Sequence, residues 1–394
     1  MTTIALQFLE YAHPKATPAR VRERLRRALE SFPGSMVLLG WDLPPRLEDS
    51  VAEACVHHGS KLYRWHPLLT SDADFALPDE WRTQNASDGP LTGFKGLPEF
   101  TFICPNRTDV QDWIAERIEV ALQRGLYHGL FFDRMRFPSP AENPETHLTC
   151  FCKYCRRVAA DSGLDLEAVR RYLNAVLAED TTGTHLVREL FETDHQVKTP
   201  MQDFLDFRTR SICRVVRSSA LQVRAAGLEV GLDCFSPALT RMVGQGLAEL
   251  ANLSDWIKIM TYPRVFGPAG LPFEMLGLAN WLTQRGMNGA DTIRILASVS
   301  GLPLPETLTE LRNTGFGSAV LGAEIGRGRA AGIDTLLAGL ALVEMETVHH
   351  STDAQILDDL TAGLHADGLV LSWDLWNIPA HRIDQVRAFL EKDK

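Results

Sequence analysis

Short apolar runs that read as buried strands recur along this chain, and most are separated by stretches of helical length. They fall at about 3–9, 35–41, 61–66, 128–133, 228–234, 255–262, 335–344 and 367–374. Continuous apolar runs suit parallel strands covered on both faces. A strand, a helix of about ten or more residues and another strand is the rhythm of a βαβ unit. Eight such units predict an α/β protein with one (β/α)8 TIM barrel over residues 1–394.

Punctuation supports the rhythm. Thr17-Pro18 offers an N-cap and a first-turn proline to a helix that stops at Pro33-Gly34, and Gly59 stops a second helix over 46–58. Asp109 to Arg124 reads as a helix with Trp113, Ile114, Ile118, Val120 and Leu122 on its apolar side. TIRILASV (292–299) and SAVLGAEI (318–325) fit strand or helix. We read both as helix, which puts helices over 288–331 between strands six and seven. Residues 69–99, rich in Asp, Gly, Pro and Ser, form a long loop over one face. Residues 137–200 form an insertion after strand four, with a helix near 166–178 and a polar EDTTGTH segment, before a long helix over 201–225.

The stretch from Gly129 to Cys155 carries the chemistry. Gly129-Leu130-Phe131-Phe132 is an apolar strand that ends in Asp133, followed by Arg134 and Arg136. Barrels place chemistry at the C-terminal ends of their strands. Then comes Cys150-x-Cys152-x-x-Cys155, a metal-ligand spacing. A fourth ligand has to come from elsewhere, with Cys104, His147 and Cys234 as candidates. The other cysteines, Cys55 and Cys213, sit on helix faces as small buried hydrophobes.

A net charge of −10 argues against non-specific nucleic-acid binding. No apolar run reaches transmembrane length, so no membrane partner is expected. Met1 to Leu9 is too short, and lacks the basic start, for a secretory signal. Seven unevenly placed cysteines make no disulfide scaffold, and we expect a reducing cytoplasm. A homo-oligomer stays open.

The expected strand ends bring together Gln7, Glu10, Trp41, Asp42, His66, Asp133, Arg134, Arg136, Asp233, Tyr262, Glu344, Trp373 and Asp374. Aromatic faces stack on the C–H faces of sugar rings, while carboxylates and arginines bind hydroxyls, so this mixture suits a carbohydrate. No glycine-rich phosphate loop, dinucleotide fingerprint or G-x-S-x-G elbow is present.

Phe102-Ile103-Cys104-Pro105-Asn106, a helix, a strand ending in Asp133 and then Cys150-x-Cys152-x-x-Cys155 resemble the family 42 β-galactosidases. In that family a C-P-N segment and a later C-x-C-x-x-C cluster bind a structural zinc. The stretch from Cys104 to Phe137 is also similar to bacterial family-10-like glycosidases, in which a strand ending D-G-I-x-F-D precedes an R-F-P or Y-F-P turn. The resemblance covers roughly residues 100–160. It implies a glycoside hydrolase acting on a carbohydrate, with structural zinc on Cys104, Cys150, Cys152 and Cys155.

Where that barrel clan carries Asn-Glu after strand four, this chain has Phe132-Asp133-Arg134, so the general acid falls on Asp133. The nucleophile, a Glu after strand seven, falls on Glu344, with Glu346 and Glu324 as alternatives. The expected substrate-binding set is Gln7, Trp41, His66, Arg134, Arg136, Asp233, Tyr262, Trp373 and Asp374. An Arg beside Asp133 favours the ionised form, the reverse of what an acid needs, so base, nucleophile and ion-pair partner stay open for it. A non-catalytic sugar-binding barrel, and a barrel lyase, isomerase or deacetylase acting on a small substrate, are the other classes.

Overall fold

The structure, a computed structural model, describes residues 2–9, 17–41, 43–71, 77–192, 198–374 and 377–392, and not the side chains of Leu9, Pro98, Trp373 and Asp374. Eight parallel strands close into a barrel in the order of the chain. They are β1 (Thr3–Leu9), β2 (Met36–Leu39), β3 (Lys61–Pro67), β4 (Gly129–Asp133), β5 (Glu229–Phe235), β6 (Trp256–Met260), β7 (Leu336–Ala341) and β8 (Gly368–Asp374). Each lies at an expected run, with β7 ending at Ala341 rather than Glu344.

Helices follow the strands. They are α1 (Pro18–Ser31), α2 (Pro45–His57), α3 (Thr108–Gln123), α4 (Pro144–His147), α5 (Lys153–Asp161), α6 (Leu166–Glu179), α7 (Thr184–Phe191) and α8 (Pro200–Ala225), then α9 (Leu247–Ala251), α10 (Leu271–Gln284), α11 (Gly289–Ser300), α12 (Leu308–Thr314), α13 (Ala319–Ala330), α14 (Asp353–Gly363) and α15 (Ala380–Lys392). Both ambiguous runs are helical, in α11 and α13. Caps decide several starts. Thr17 and Thr199 accept backbone N–H groups at the heads of α1 and α8, each followed by proline, and capping boxes open α12 and α14.

Two expectations need correction. The inserted segment holds four helices, and the polar EDTTGTH runs into the start of α7. On α3 the buried positions are Val110, Ile114, Ile118 and Ala121, while Val120 is 59% exposed. A 3.6-residue repeat selects the first set and turns position 120 outward.

Alternation along the strands sorts the core. Ala5, Leu38, Tyr63, Phe131, Trp256, Leu337 and Val370 point into the barrel. Phe131 stacks on Trp256 with ring centroids 5.1 Å apart, and burying such a ring stabilises the fold by about 2–3 kcal/mol. Gly231 makes that room, since a Cβ there would lie 2.2 Å from the Trp256 ring. Leu130 and Phe132 point outward and join the larger core beneath the helices.

Candidate active site

The mouth of the barrel is built from inward-facing residues one layer above Phe131. Asp133 is two positions beyond Phe131 on β4, and Asp233 two beyond Gly231 on β5. Phe131 and Gly231 are register partners, so the two acids are neighbours across the ladder. Both are buried.

Their surroundings differ. Asp133 accepts the Trp65 Nε1–H at 2.9 Å and the Arg134 backbone N–H at 2.5 Å, with the Arg134 guanidinium 3.9 Å away. Asp233 accepts from the Lys258 ammonium through Oδ2 at 2.9 Å, while its Oδ1 is buried with no partner among the described residues. Burial, with the Asp133 charge adding to it, pushes Asp233 up to about 7 against the pull of Lys258.

Lys258 anchors a polar floor. It also donates to Gln7 Oε1 at 2.6 Å, Ser372 Oγ donates to the same oxygen at 3.1 Å, and Tyr262 OH and Ser372 Oγ are 2.9 Å apart. Gly339 on β7 makes space for this lysine, since a Cβ there would lie 2.8 Å from Lys258 Cε.

Arg134 adopts φ 51°, a left-handed conformation that costs a residue with a side chain about 1 kcal/mol or more. Its guanidinium lies over the rings of Trp41, at 4.7 Å, and Phe100, at 5.0 Å. Trp41 meets Trp65 edge-on at 4.9 Å. Arg136 is clamped between Phe102 and Phe235 at 4.3 and 4.5 Å, and burial pulls its guanidinium down to about 10.

Gln7, Trp41, Asp133, Arg134, Arg136, Asp233 and Tyr262 therefore gather at or beside the mouth. His66 does not join them. It lies on the outward face of β3 against Phe132 at 6.2 Å, and neither ring nitrogen has a hydrogen-bond partner among the described residues. Burial holds it well below the ordinary histidine range. The inward residue at that level is Trp65, one position earlier, because side chains alternate along a strand.

Glu344 lies three residues beyond β7, 44% exposed, paired with His350 at 3.0 Å and Arg382 of α15 at 3.8 Å. Its described contacts include neither Asp133 nor the polar floor. Of the alternatives, Glu346 is exposed, and Glu324 is buried on α13, where it accepts from Ser236 Oγ and the Ala238 N–H. Glu10 and Asp42, with the side chains of Trp373 and Asp374, lie outside the described residues.

Lys258 and Trp65 escaped the reading of the sequence. The signal for Lys258 was a lone cation in the middle of the apolar run WIKIM, in phase with inward Trp256.

The four expected thiols come together. The sulfurs of Cys104, Cys150, Cys152 and Cys155 lie within 4.8 Å of one another, all buried, and Cys104 is 3.4 Å from both Cys152 and Cys155. Cys150 accepts the Gln84 backbone N–H at 3.4 Å, and Cys155 accepts Asn106 Nδ2–H at 3.3 Å. Hydrogen bonds from the other three thiols hold Cys152 far below the usual thiol range, whereas burial raises Cys104 and Cys155. Bonds of about 2.3 Å to a central ion put tetrahedral sulfurs about 3.8 Å apart, so the cluster fits a four-thiolate metal site. The other candidate ligands stand elsewhere. His147 Nδ1 bonds to Asn143 O and Thr146 Oγ1, and Cys234 is buried in β5.

No protein-family profile matches this sequence, and no curated protein matches it. Solved structures do. The PgaB (BpsB) glycoside hydrolase domain from Bordetella bronchiseptica aligns over 98% of each chain, with TM-score 0.54 and 13% identity. A β-galactosidase from the psychrophilic Marinomonas ef1 aligns with TM-score 0.60 and 11% identity over 99% of this chain and 59% of its own. Gan42B, a GH42 β-galactosidase from G. stearothermophilus, aligns with TM-score 0.56 and 10% identity over 99% of this chain and 56% of its own. The chain thus spans little more than half the length of either galactosidase. At these identities what is shared is the barrel fold.

Proposed function

We propose that this protein is a glycoside hydrolase that cleaves a carbohydrate at the barrel mouth with Asp133 and Asp233. The observation that carries the reading is the contrast between these neighbours. Asp133 is surrounded by donors and acts as the carboxylate that attacks the anomeric carbon or activates water. Asp233, pushed up to about 7 and with Oδ1 unpartnered, acts as the general acid. A buried carboxyl that holds its proton, next to a second carboxyl, is the usual basis for such a division. Trp65 and Tyr262 supply rings for sugar faces, Trp41 backs the Arg134 guanidinium, and Arg134 and Gln7 supply hydroxyl contacts. The glycoside hydrolases among the structural neighbours support the same class.

The reading treats residues 1–394 as one barrel domain, with 137–200 as an elaboration of its fourth loop. Cys104, Cys150, Cys152 and Cys155 would hold a structural zinc, which ties that elaboration to the segment before α3. Four closed ligands leave no position for substrate. All seven cysteines are buried, four of them in the proposed zinc site, and we place the protein in a reducing compartment such as the cytoplasm. Among the described residues no helix is long and apolar enough to cross a membrane.

The test is a panel of aryl glycosides and oligosaccharides assayed with wild type, Asp133→Asn and Asp233→Asn. Turnover by wild type that either variant retains would sink the assignment. Saturable sugar binding with no turnover would favour a non-catalytic barrel.

A further inference from the structure

Beside the mouth lies a cavity of about 120 Å³ with aromatic walls from Phe94, Phe100, Phe102 and Phe273. Phe94 stands edge-on to Phe100 at 6.2 Å and to Phe273 at 5.2 Å. Phe100 links cavity and mouth, since it also carries the Arg134 guanidinium on its ring.

Arg136 lines this cavity. It is 5% exposed, and its one described hydrogen bond runs from Nη1 to the Phe137 carbonyl at 3.1 Å. Among the described residues it makes no ion pair. A guanidinium carries five N–H donors, and a buried cation with most of them unused calls for an anion. The nearest negative charges, Glu274 and Asp133, act on it only from beyond ion-pair distance. Glu274 spends its oxygens on the Ser139 hydroxyl and on the Ala269 N–H at 2.9 Å, and Glu142 is exposed at the edge. A second cation, Lys95, stands at the rim with its ammonium 5.1 Å from the Phe94 ring centre.

We propose that this cavity binds the carboxylate of a hexuronic acid unit, making the substrate an acidic saccharide. The planar carboxylate matches the flat fork of Arg136, which the rings of Phe102 and Phe235 hold in plane. Lys95 adds charge from the rim, and the phenylalanine walls take the C–H faces of the sugar ring. The space is well below the ~300–1,000 Å³ of drug-sized sites, so it accepts one unit of a chain whose neighbour reaches Asp133. The proposal rests on the glycosidase reading for what happens at the mouth, but the binding site itself does not depend on turnover.

Calorimetric titration of the full chain tests it, with a hexuronic acid disaccharide, its neutral hexose counterpart and a sulfated counterpart as probes. The uronate is expected to bind at least tenfold more tightly than either of the others. Arg136→Gln should bring uronate and neutral affinities within twofold. Lys95→Gln, at an exposed position where folding is not at stake, should weaken the uronate severalfold. No uronate binding, equal binding of uronate and neutral sugar by wild type, a stronger sulfated ligand, or unchanged uronate affinity in both variants overturns the proposal. Turnover of neutral substrates without a uronate preference removes this site and leaves the glycosidase reading. A uronate preference without turnover does the opposite.

Discussion

Lys258 donates to Asp233 across 2.9 Å inside the barrel, and neither side chain is more than 2% exposed. A charge pair this deep is retained at a desolvation cost, and breaking it from one side leaves an uncompensated group.

At pH 8, where Asp233 is ionised in the fold, Lys258→Met should therefore destabilise the protein by about 3–5 kcal/mol, the usual result of removing one partner of a buried pair. Combining it with Asp233→Asn should recover part of that loss, because the two changes remove charges that face each other. Urea unfolding of the two single variants and the double variant measures the coupling. Strict additivity would show that the pair is not one unit.

Asp133→Asn should lower hydrolysis by at least about a thousandfold, since truncating a carboxylate of the catalytic pair removes a step the other cannot replace. The amide is isosteric, so the melting temperature should stay close to that of wild type. Kinetics beside a thermal melt would separate chemistry from folding.

The pH profile carries a sign. Asp233 is raised to about 7 in the fold, against about 3.9 in the unfolded chain. The folded state thus holds the proton more tightly across that window, and this stabilising contribution is full below about 4 and lost as pH rises through about 7. Activity that needs protonated Asp233 should fall on the same alkaline side. Flat stability from pH 4 to 8, or a rate still rising above pH 7, would contradict the role given to Asp233.

Glu344→Gln should change activity by less than about twofold and stability by less than about 1 kcal/mol, the usual worth of an exposed ion pair. A large loss of kcat would return Glu344 to the catalytic pair.

Purified protein from reducing, chelator-free conditions should contain about one zinc per chain, and Cys155→Ser should lower both the zinc content and the melting temperature. Metal analysis of the two proteins is sufficient. Less than half an equivalent in wild type would count against the site.

The strands were legible because a strand covered on both faces is apolar along its whole length, as Gly129–Phe132 is. The thiol cluster was legible because Cys150, Cys152 and Cys155 are close in sequence, and the resemblance supplied Cys104. Facing was harder. His66 and Trp65 differ by one position, and only the pairing of β3 with β4 decides which of them reaches the mouth. Lys258 was hidden because a cation inside an apolar strand is explained only by partners on β1 and β5, far away in sequence. Glu344 looked like a strand end because apolar residues continue past Ala341, where the ladder has already stopped.

Cys104 lies just before α3 and Cys150 follows β4, so a metal held by the four thiolates would close the chain between them into a ring, with Asp133 inside it. A segment held in a ring cannot drift away from the barrel independently at its two ends. Amide hydrogen exchange across α3 and β4 should then behave as one cooperative unit whose opening is set by the cluster. The redox and metal supply of the surroundings would then reach Asp133 through the mobility of its own strand.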